Sequence, residues 1–372
     1  MRPVSLRFAL LLAGLSAWLA CAAPARALKI QFDYTYDDGG FFSDPAARAA
    51  LEHAAGSFEI CRDEMTAIEP GGVNWWKAVF HDPRDTTQSV LEPNLVVPAD
   101  TVTIFVGADE LGTQTLGLAS RGGMTGGGYA EWGETLKYRG QEGAAEANPT
   151  DYGPWGGSIT FNASKSWSFG IYEAPSDPQD SDFLSVALHE LCHVLGFGPP
   201  SPNPKSWDTY VDAGTRRFLG PEAVAEYGGP VPLDDIDTHW APGTLSTNGG
   251  AVQEAAMDPN LVTGTRKLLT ELDLAAMRDI GWEMPQPGDA DRDGDVDFLD
   301  YLTVKAHLGG LGGWTDGDFD FDQDIDAADL SAVEAFFSLP VPPAAAPVPE
   351  PASAMLLLAG AAALLRRARR GR

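Results

Sequence analysis

His189 and His193 stand four residues apart in the stretch Phe183 to Gly196, FLSVALHELCHVLG. On a helix that spacing puts both imidazoles on one face, one turn apart, where they can hold a single metal ion. Neutral imidazole is a favoured zinc ligand, and a catalytic zinc takes three protein ligands and leaves a position open to water. Glu190, beside the first histidine, is the candidate base, since a carboxylate there can take a proton from an activated water as it attacks a carbonyl. The plainer alternative is a core helix that happens to carry two histidines. The apolar run Phe183, Leu184, Val186, Ala187 and Leu188 before the pair, and Gly196 after it, favour the metal.

Several elements must position that helix. Leu28 to Tyr34 alternates apolar and polar residues, as a strand buried on one face does. Asp44-Pro45 opens an alanine-rich helix running to about Met65. Thr101 to Val106 is a second strand, and Gly122 to Gly128 reads as a loop that lacks the spacing of a phosphate cradle. Gly156 to Asn162 is a third strand. It is either the sheet edge beside the metal, where an extended peptide could add as a further strand, or an ordinary internal strand. Thr270 with Asp273 caps a helix from Glu271 to Ile280 that Gly281 stops, with packing as its role.

At 372 residues the chain exceeds one average domain. Its 25 basic against 53 acidic residues, net −28, argue against a nucleic-acid partner. Residues 1–27 read as a secretory signal: Arg2 and Arg7, an apolar core from Phe8 to Ala20, and small residues at Ala25-Arg26-Ala27. Bulky Trp18 and Leu19 disfavour a lipoprotein reading through Cys21. Beyond the signal only Cys61 and Cys192 remain; export permits a disulfide between them, and a small buried side chain is the competing role for Cys192.

After Met284-Pro285-Gln286-Pro287 the composition changes. Asp289, Asp291, Asp293, Gly294, Asp295, Asp297 and Asp300 occupy positions 1, 3, 5, 6, 7, 9 and 12 of an EF-hand-like calcium loop. The pattern recurs 29 residues later in Asp318, Asp320, Asp322, Asp324, Asp326 and Asp329, with Gln323 where Gly294 stood, which strains the second loop's tight turn. From Asp289 to Asp329, 13 Asp stand against Arg292 and Lys305, so calcium is expected to hold the region together structurally.

The motif HELCHVLG resembles the opening of the metzincin pattern HExxHxxGxxH, but Pro199 stands where that pattern has its third histidine. Thr238-His239-Trp240, then Glu254 to Pro259, then Leu269 to Trp282 resemble the leishmanolysin-type metzincins, in which an insertion precedes a His-Trp pair, a methionine turn and a final helix. The resemblance implies His239 as the third zinc ligand, with Asp208 and His81 as the alternatives, and Met257 as the methionine under the metal. No tyrosine follows Met257 at the spacing of a further ligand. The fold implied for residues 28–286 is a metzincin-type α/β (α+β) zincin domain, a twisted mixed sheet with an active-site helix. The acidic pair at 287–340 resembles a dockerin, a small all-α module whose calcium ligands would be Asp289, Asp291, Asp293, Asp295 and Asp300, then Asp318, Asp320, Asp322, Asp324 and Asp329. It would either bind a cohesin-like partner or serve as a spacer.

Residues 341–372 comprise a Pro/Ala linker, Val348-Pro349-Glu350-Pro351, an apolar run from Ala352 to Leu365 and a basic end, and together resemble a PEP-CTERM sorting signal. That run is shorter than the about 20 residues of a stable span, which fits a transient anchor processed by an exosortase-type enzyme. The expectation is a zinc-dependent metalloendopeptidase acting on protein or peptide substrates, secreted to the envelope or extracellular matrix of a Gram-negative-type bacterium. The alternative is a calcium-dependent adhesion protein on an idle protease scaffold. Substrate preference is expected to depend on the insertion from Phe197 to Asp237.

Overall fold

The computed structural model of the chain describes residues 27–198 and 206–337. Residues 1–26, 199–205 and 338–372 lie outside the described residues, and with them the expected leader, the first part of the insertion, and the expected linker, anchor and basic tail. In chain order the first elements are β1 (Lys29–Asp33), α1 (Pro45–Gly56), β2 (Trp75–Asp82), β3 (Asp85–Pro93), β4 (Thr101–Asp109), β5 (Gly117–Arg121), β6 (Gly123–Gly127) and α2 (Ala130–Tyr138). They continue with β7 (Gly156–Asn162), β8 (Trp167–Ser168), β9 (Ser181–Asp182), α3 (Phe183–Val194), α4 (Ser206–Thr209), β10 (Val211–Asp212), β11 (Arg217–Phe218), α5 (Pro221–Tyr227) and β12 (Val231–Pro232). The last are β13 (Leu245–Asn248), β14 (Ala251–Glu254), α6 (Glu271–Asp279), α7 (Phe298–His307) and α8 (Ala327–Phe336). The fold is mixed α and β.

The main sheet has the order β1-β4-β7-β5, with β1, β4 and β7 parallel and β5 antiparallel to β7. The strand from Gly156 is therefore internal; among the described residues the edges are β1 and β5, and β5 is the one beside α3. Strand β4 is buried over most of its length because both sheet faces are covered. Val102, Ile104 and Val106 join the core shared with α1 and α3, while Phe105 turns to a second core and stacks on Phe80 with ring centroids 4.3 Å apart.

That second core lies under an antiparallel sheet ordered β3-β2-β6. The glycine-rich stretch expected as a loop supplies β6. A Cβ on Gly126 would lie 2.8 Å from both Leu136 Cδ1 and Trp75 O, so the missing side chain is what allows the pairing. Helix α1 stops at Gly56 rather than near Met65, because the chain beyond is drawn along the main sheet: Leu28 N–H donates to Cys61 O at 2.9 Å and Met65 N–H to Asp100 Oδ1 at 2.7 Å. Cys61 and Cys192 are both buried and unbridged, which leaves the small-core-residue role. Arg139, fully buried, donates to the carbonyls of Thr66, Pro98, Thr101 and Pro154 at 2.7–2.9 Å, and burial lowers its pKa to about 10.

Candidate metal centre

Helix α3 starts at a strong cap. The Asp182 carboxylate accepts from Ser185 N–H at 3.3 Å and Ser185 Oγ at 2.6 Å, and takes a forked pair of bonds from Arg266, each 2.9 Å. The helix ends at Gly196, which has φ +110 and lets Phe197 N–H return to Cys192 O at 2.9 Å. That return puts the Phe197 carbonyl 2.9 Å from His193 Nδ1.

His239 arrives from the far side of the insertion. Asp234 shapes its approach: Oδ1 accepts from Ile236 N–H at 3.2 Å and Thr238 N–H at 2.9 Å, and Oδ2 lies 3.0 Å from His239 Nδ1. Gly198 makes room. A Cβ at this position, φ +88, would lie 2.4 Å from Thr238 O and 3.1 Å from His193 Nδ1.

The three rings converge. His193 Nε2 is 3.1 Å from His189 Nε2 and 3.0 Å from His239 Nε2. On the opposite side of each ring, Nδ1 faces an acceptor: Ala256 O at 2.8 Å for His189, Phe197 O for His193 and the Asp234 carboxylate for His239. Carbonyl and ionised carboxylate oxygens only accept, so the partners assign the proton to each Nδ1 and leave a lone pair on each Nε2. Three lone pairs meeting at about this distance with no proton between them could be satisfied by a cation, and three imidazoles oriented by outer acceptors are a donor set that could hold a metal ion such as zinc. Burial, then the neighbouring His239, lowers His189 to about 4, and burial with both neighbouring rings holds His193 well below the usual histidine value. Both rings are therefore neutral at pH 7, as ligands must be.

Of the alternatives for the third position, Asp208 lies on α4 and His81 is exposed on β2; neither belongs to a metal-capable cluster among the described residues. Glu190 is buried against the edge strand, so closely that a Cβ on Gly117 would lie 2.6 Å from its Oε1. Burial raises its pKa to about 8, partly opposed by the Ala119 N–H. A cleft of about 810 Å³ runs past these groups, with Gly117, Leu118 and Ala119 of β5 on one wall and Ala256, Asp258 and Pro259 on the other. From the insertion Ile236 reaches this cleft, while α5 packs on α6, whose Asp279 accepts from Glu222 and Ala223 N–H at 2.9 Å each. The insertion's described part thus shapes the cleft less than its length implies.

Met257 is fully buried in the turn that also presents the Ala256 carbonyl. Asp273 on α6 holds this turn: it accepts from Ala256 N–H at 2.8 Å, Met257 N–H at 3.2 Å and the Trp240 indole at 2.9 Å. The closing helix therefore positions the site as well as packing. In the sequence Asp273 stands out only as a helix cap, and Asp234, Arg266 and the two orienting carbonyls do not stand out. The Asp-rich turn before Thr238-His239 was a usable signal for Asp234; main-chain carbonyls leave none.

In the acidic module, Asp289, Asp291 and Asp300 gather ligand atoms within 4.8 Å of one another, as do Asp318, Asp320 and Asp322, and also Asp295, Asp297 and Asp300. Asp293, Asp324 and Asp329 of the expected set stand outside those groups. Asp329 instead accepts from Phe319 and Asp326 N–H at 2.7 and 2.8 Å. The two loops share a backbone course: left-handed Arg292 and Phe321 match, as do Gly294 at φ +98 and Gln323 at φ +76. Gln323 therefore does not break the turn. Asp318 is 3% exposed, and its Oδ1 and the Oδ1 of Asp320 are buried without a hydrogen-bond partner, a state a hard cation satisfies.

No protein-family model, curated protein or solved structure matches the chain.

Proposed function

We propose that the chain is a secreted zinc-dependent metalloendopeptidase of metzincin type, with calcium held structurally in its acidic loops. The carrying observation is the convergence of three Nε2 lone pairs, each fixed by an acceptor behind its ring, next to a buried carboxylate on an open cleft. Zinc held by His189, His193 and His239 would supply Lewis acidity and the positive charge that favours Glu190 as a carboxylate. Glu190 takes the proton of the attacking water and delivers it to the leaving amine. Among the described residues strand β5 pairs on one side only, so the outer backbone groups of β5 that are not engaged by Glu190, as the Ala119 N–H is, can align an extended peptide along the cleft wall. The substrate class follows from that edge.

The leader and the sorting-signal-like tail support export to the envelope, with an exosortase-type enzyme as the processing partner. Glu190 favours catalysis over adhesion, since a structural zinc has no use for a base beside it. The test is zinc content and peptide cleavage of Glu190→Ala. Retained zinc with cleavage reduced at least ~100-fold, the low end for a general base, is the expected result. Undiminished cleavage removes Glu190 from the reaction, and no zinc in the unaltered protein removes the reading altogether.

A further inference from the structure

We propose that Gln323 fastens the second acidic loop to the histidine helix, so that calcium bound in that loop steadies α3 and the imidazole site; this rests on reading the loop as a calcium site. The sixth position of such a loop is ordinarily glycine, because the turn is left-handed. A side chain there is strained, and such strain persists where surrounding contacts hold it. Gln323 has those contacts. Its Nε2 donates to Ile171 O at 3.1 Å and lies 3.1 Å from His53 Nε2, while its Oε1 is 3.4 Å from an Arg266 guanidinium nitrogen.

Arg266 is almost fully buried and is itself pinned by Gly170 O, Ile171 O and the forked bond to Asp182, the cap of the helix that carries His189. The other end of Gln323 belongs to the loop. Its N–H donates to Asp318 Oδ2 at 3.1 Å, and the opposite oxygen of Asp318 is the buried atom without a partner. One residue thus has its backbone in the acidic loop and its side chain in the network that caps α3.

A second anchor holds the same loop. Asn248 Nδ2 is 3.2 Å from Asp320 O and 2.8 Å from Phe321 O, at the tip of the β13–β14 hairpin. That hairpin leads into Ala256, whose carbonyl orients His189. Gly249, φ +55, allows the approach, for a Cβ there would lie 2.0 Å from Asp322 Oδ2. The first loop is tied differently, through Arg62 to Asp289 at 3.8 Å and Arg292 to Glu59 O at 2.8 Å, neither of which reaches α3. The second loop therefore faces inward as a clamp, and linkage requires that calcium and zinc each raise the other's affinity by the same factor.

The test uses the full chain and two variants, Gln323→Gly, which relaxes the turn, and Gln323→Asn, which keeps an amide too short to span the gap. Calorimetry measures calcium binding; hydrogen exchange of the amides of residues 183–194 in zinc-free protein, with calcium or with chelator, measures the helix; competition with a chromophoric chelator measures zinc affinity. In the unaltered protein calcium is expected to slow exchange across α3 and raise zinc affinity by about 5-fold or more. In both variants calcium still binds, but its effect on exchange across α3 falls to within about twofold of none, and its effect on zinc affinity falls to less than about half, what is left being carried by Asn248 and the hairpin that leads to Ala256. Variants that bind calcium and keep the full effect overturn the role of Gln323, as does loss of calcium binding by both, which would confine the residue to its own loop. No calcium binding by the unaltered protein refutes the loop reading first and separately.

Discussion

His189, His193 and His239 are aimed by acceptors from three separate parts of the chain, Ala256, Phe197 and Asp234. Each acidic loop instead aims its carboxylates with its own backbone: Asp289 accepts from Asp293 and Gly294 N–H, and Asp318 from Gln323 N–H. The imidazole site is thus a product of the tertiary core, whereas the carboxylates of the acidic loops are aimed locally, even where the second loop as a body is tied to the core through Gln323 and Asn248. A site built non-locally should fail as a whole when one member or one orienting group is lost. A site built locally should fail one loop at a time.

The largest effect expected from that difference is at His239. His239→Ala removes a third of the donor set and is expected to weaken zinc by more than the ~10–100-fold typical of losing an outer-shell group. Asp234→Ala keeps the ring but frees its orientation, and should fall inside that ~10–100-fold range. Zinc affinity by chelator competition reads both. An undiminished affinity in His239→Ala would break the comparison by showing that the ring is not part of the site.

How much of each region could be read in the sequence follows the same division. The pair at His189 and His193 and the acidic repeats were legible because helix and loop periodicities are local. His239 was reached only through a resemblance, since nothing near it announces which distant helix it meets. Arg139 and Arg266 carry charges that composition assigns to the surface, yet one ties four carbonyls and the other braces Asp182. The run from Gly122 reads as a loop because glycine weakens strands in general; here the indole-bearing strand beside it leaves space for little else. Gln323 looked like a defect in a calcium loop because its contacts lie far away in sequence, at Ile171 and Arg266.

A smaller effect sharpens the local half of the comparison. Asp320→Asn removes one charge from the second loop, and calcium affinity there is expected to fall about 10-fold, as charge count tunes such loops. The first loop should keep its affinity within about twofold, because its carboxylates depend on their own backbone. Two-site calorimetry distinguishes the outcomes, and equal weakening of both loops would mean that they act as one unit.

The smallest effect concerns the stretch that leads from α6 toward the acidic loops, where Arg62 N–H donates to Glu283 O and Asp63 Oδ2 accepts from Glu283 N–H. Asp63 is 2% exposed and its Oδ1 has no partner. Burial raises its pKa to about 7; the Glu283 N–H opposes the rise and Asp151 adds to it. The folded protein keeps this proton up to about pH 7, while the unfolded chain loses it near 3.8, so between those values the folded state binds more protons. The contribution to stability is therefore full below about pH 4, declines as pH rises toward 7 and is flat above. The difference between about 7 and 3.8 corresponds to ~4 kcal/mol. Asp63→Asn abolishes that loss but buries an amide N–H₂ with no assured acceptor, which costs ~1–3 kcal/mol. The net gain expected at pH 8 is thus ~1–3 kcal/mol, turning into a net loss of ~1–3 kcal/mol at pH 4, where the amide cost stands alone, read from denaturant midpoints at the two values. If both proteins lose the same stability between pH 4 and 8, Asp63 is not the group responsible. Any acid or base sensitivity would then have to be sought in the imidazole site or the acidic loops themselves.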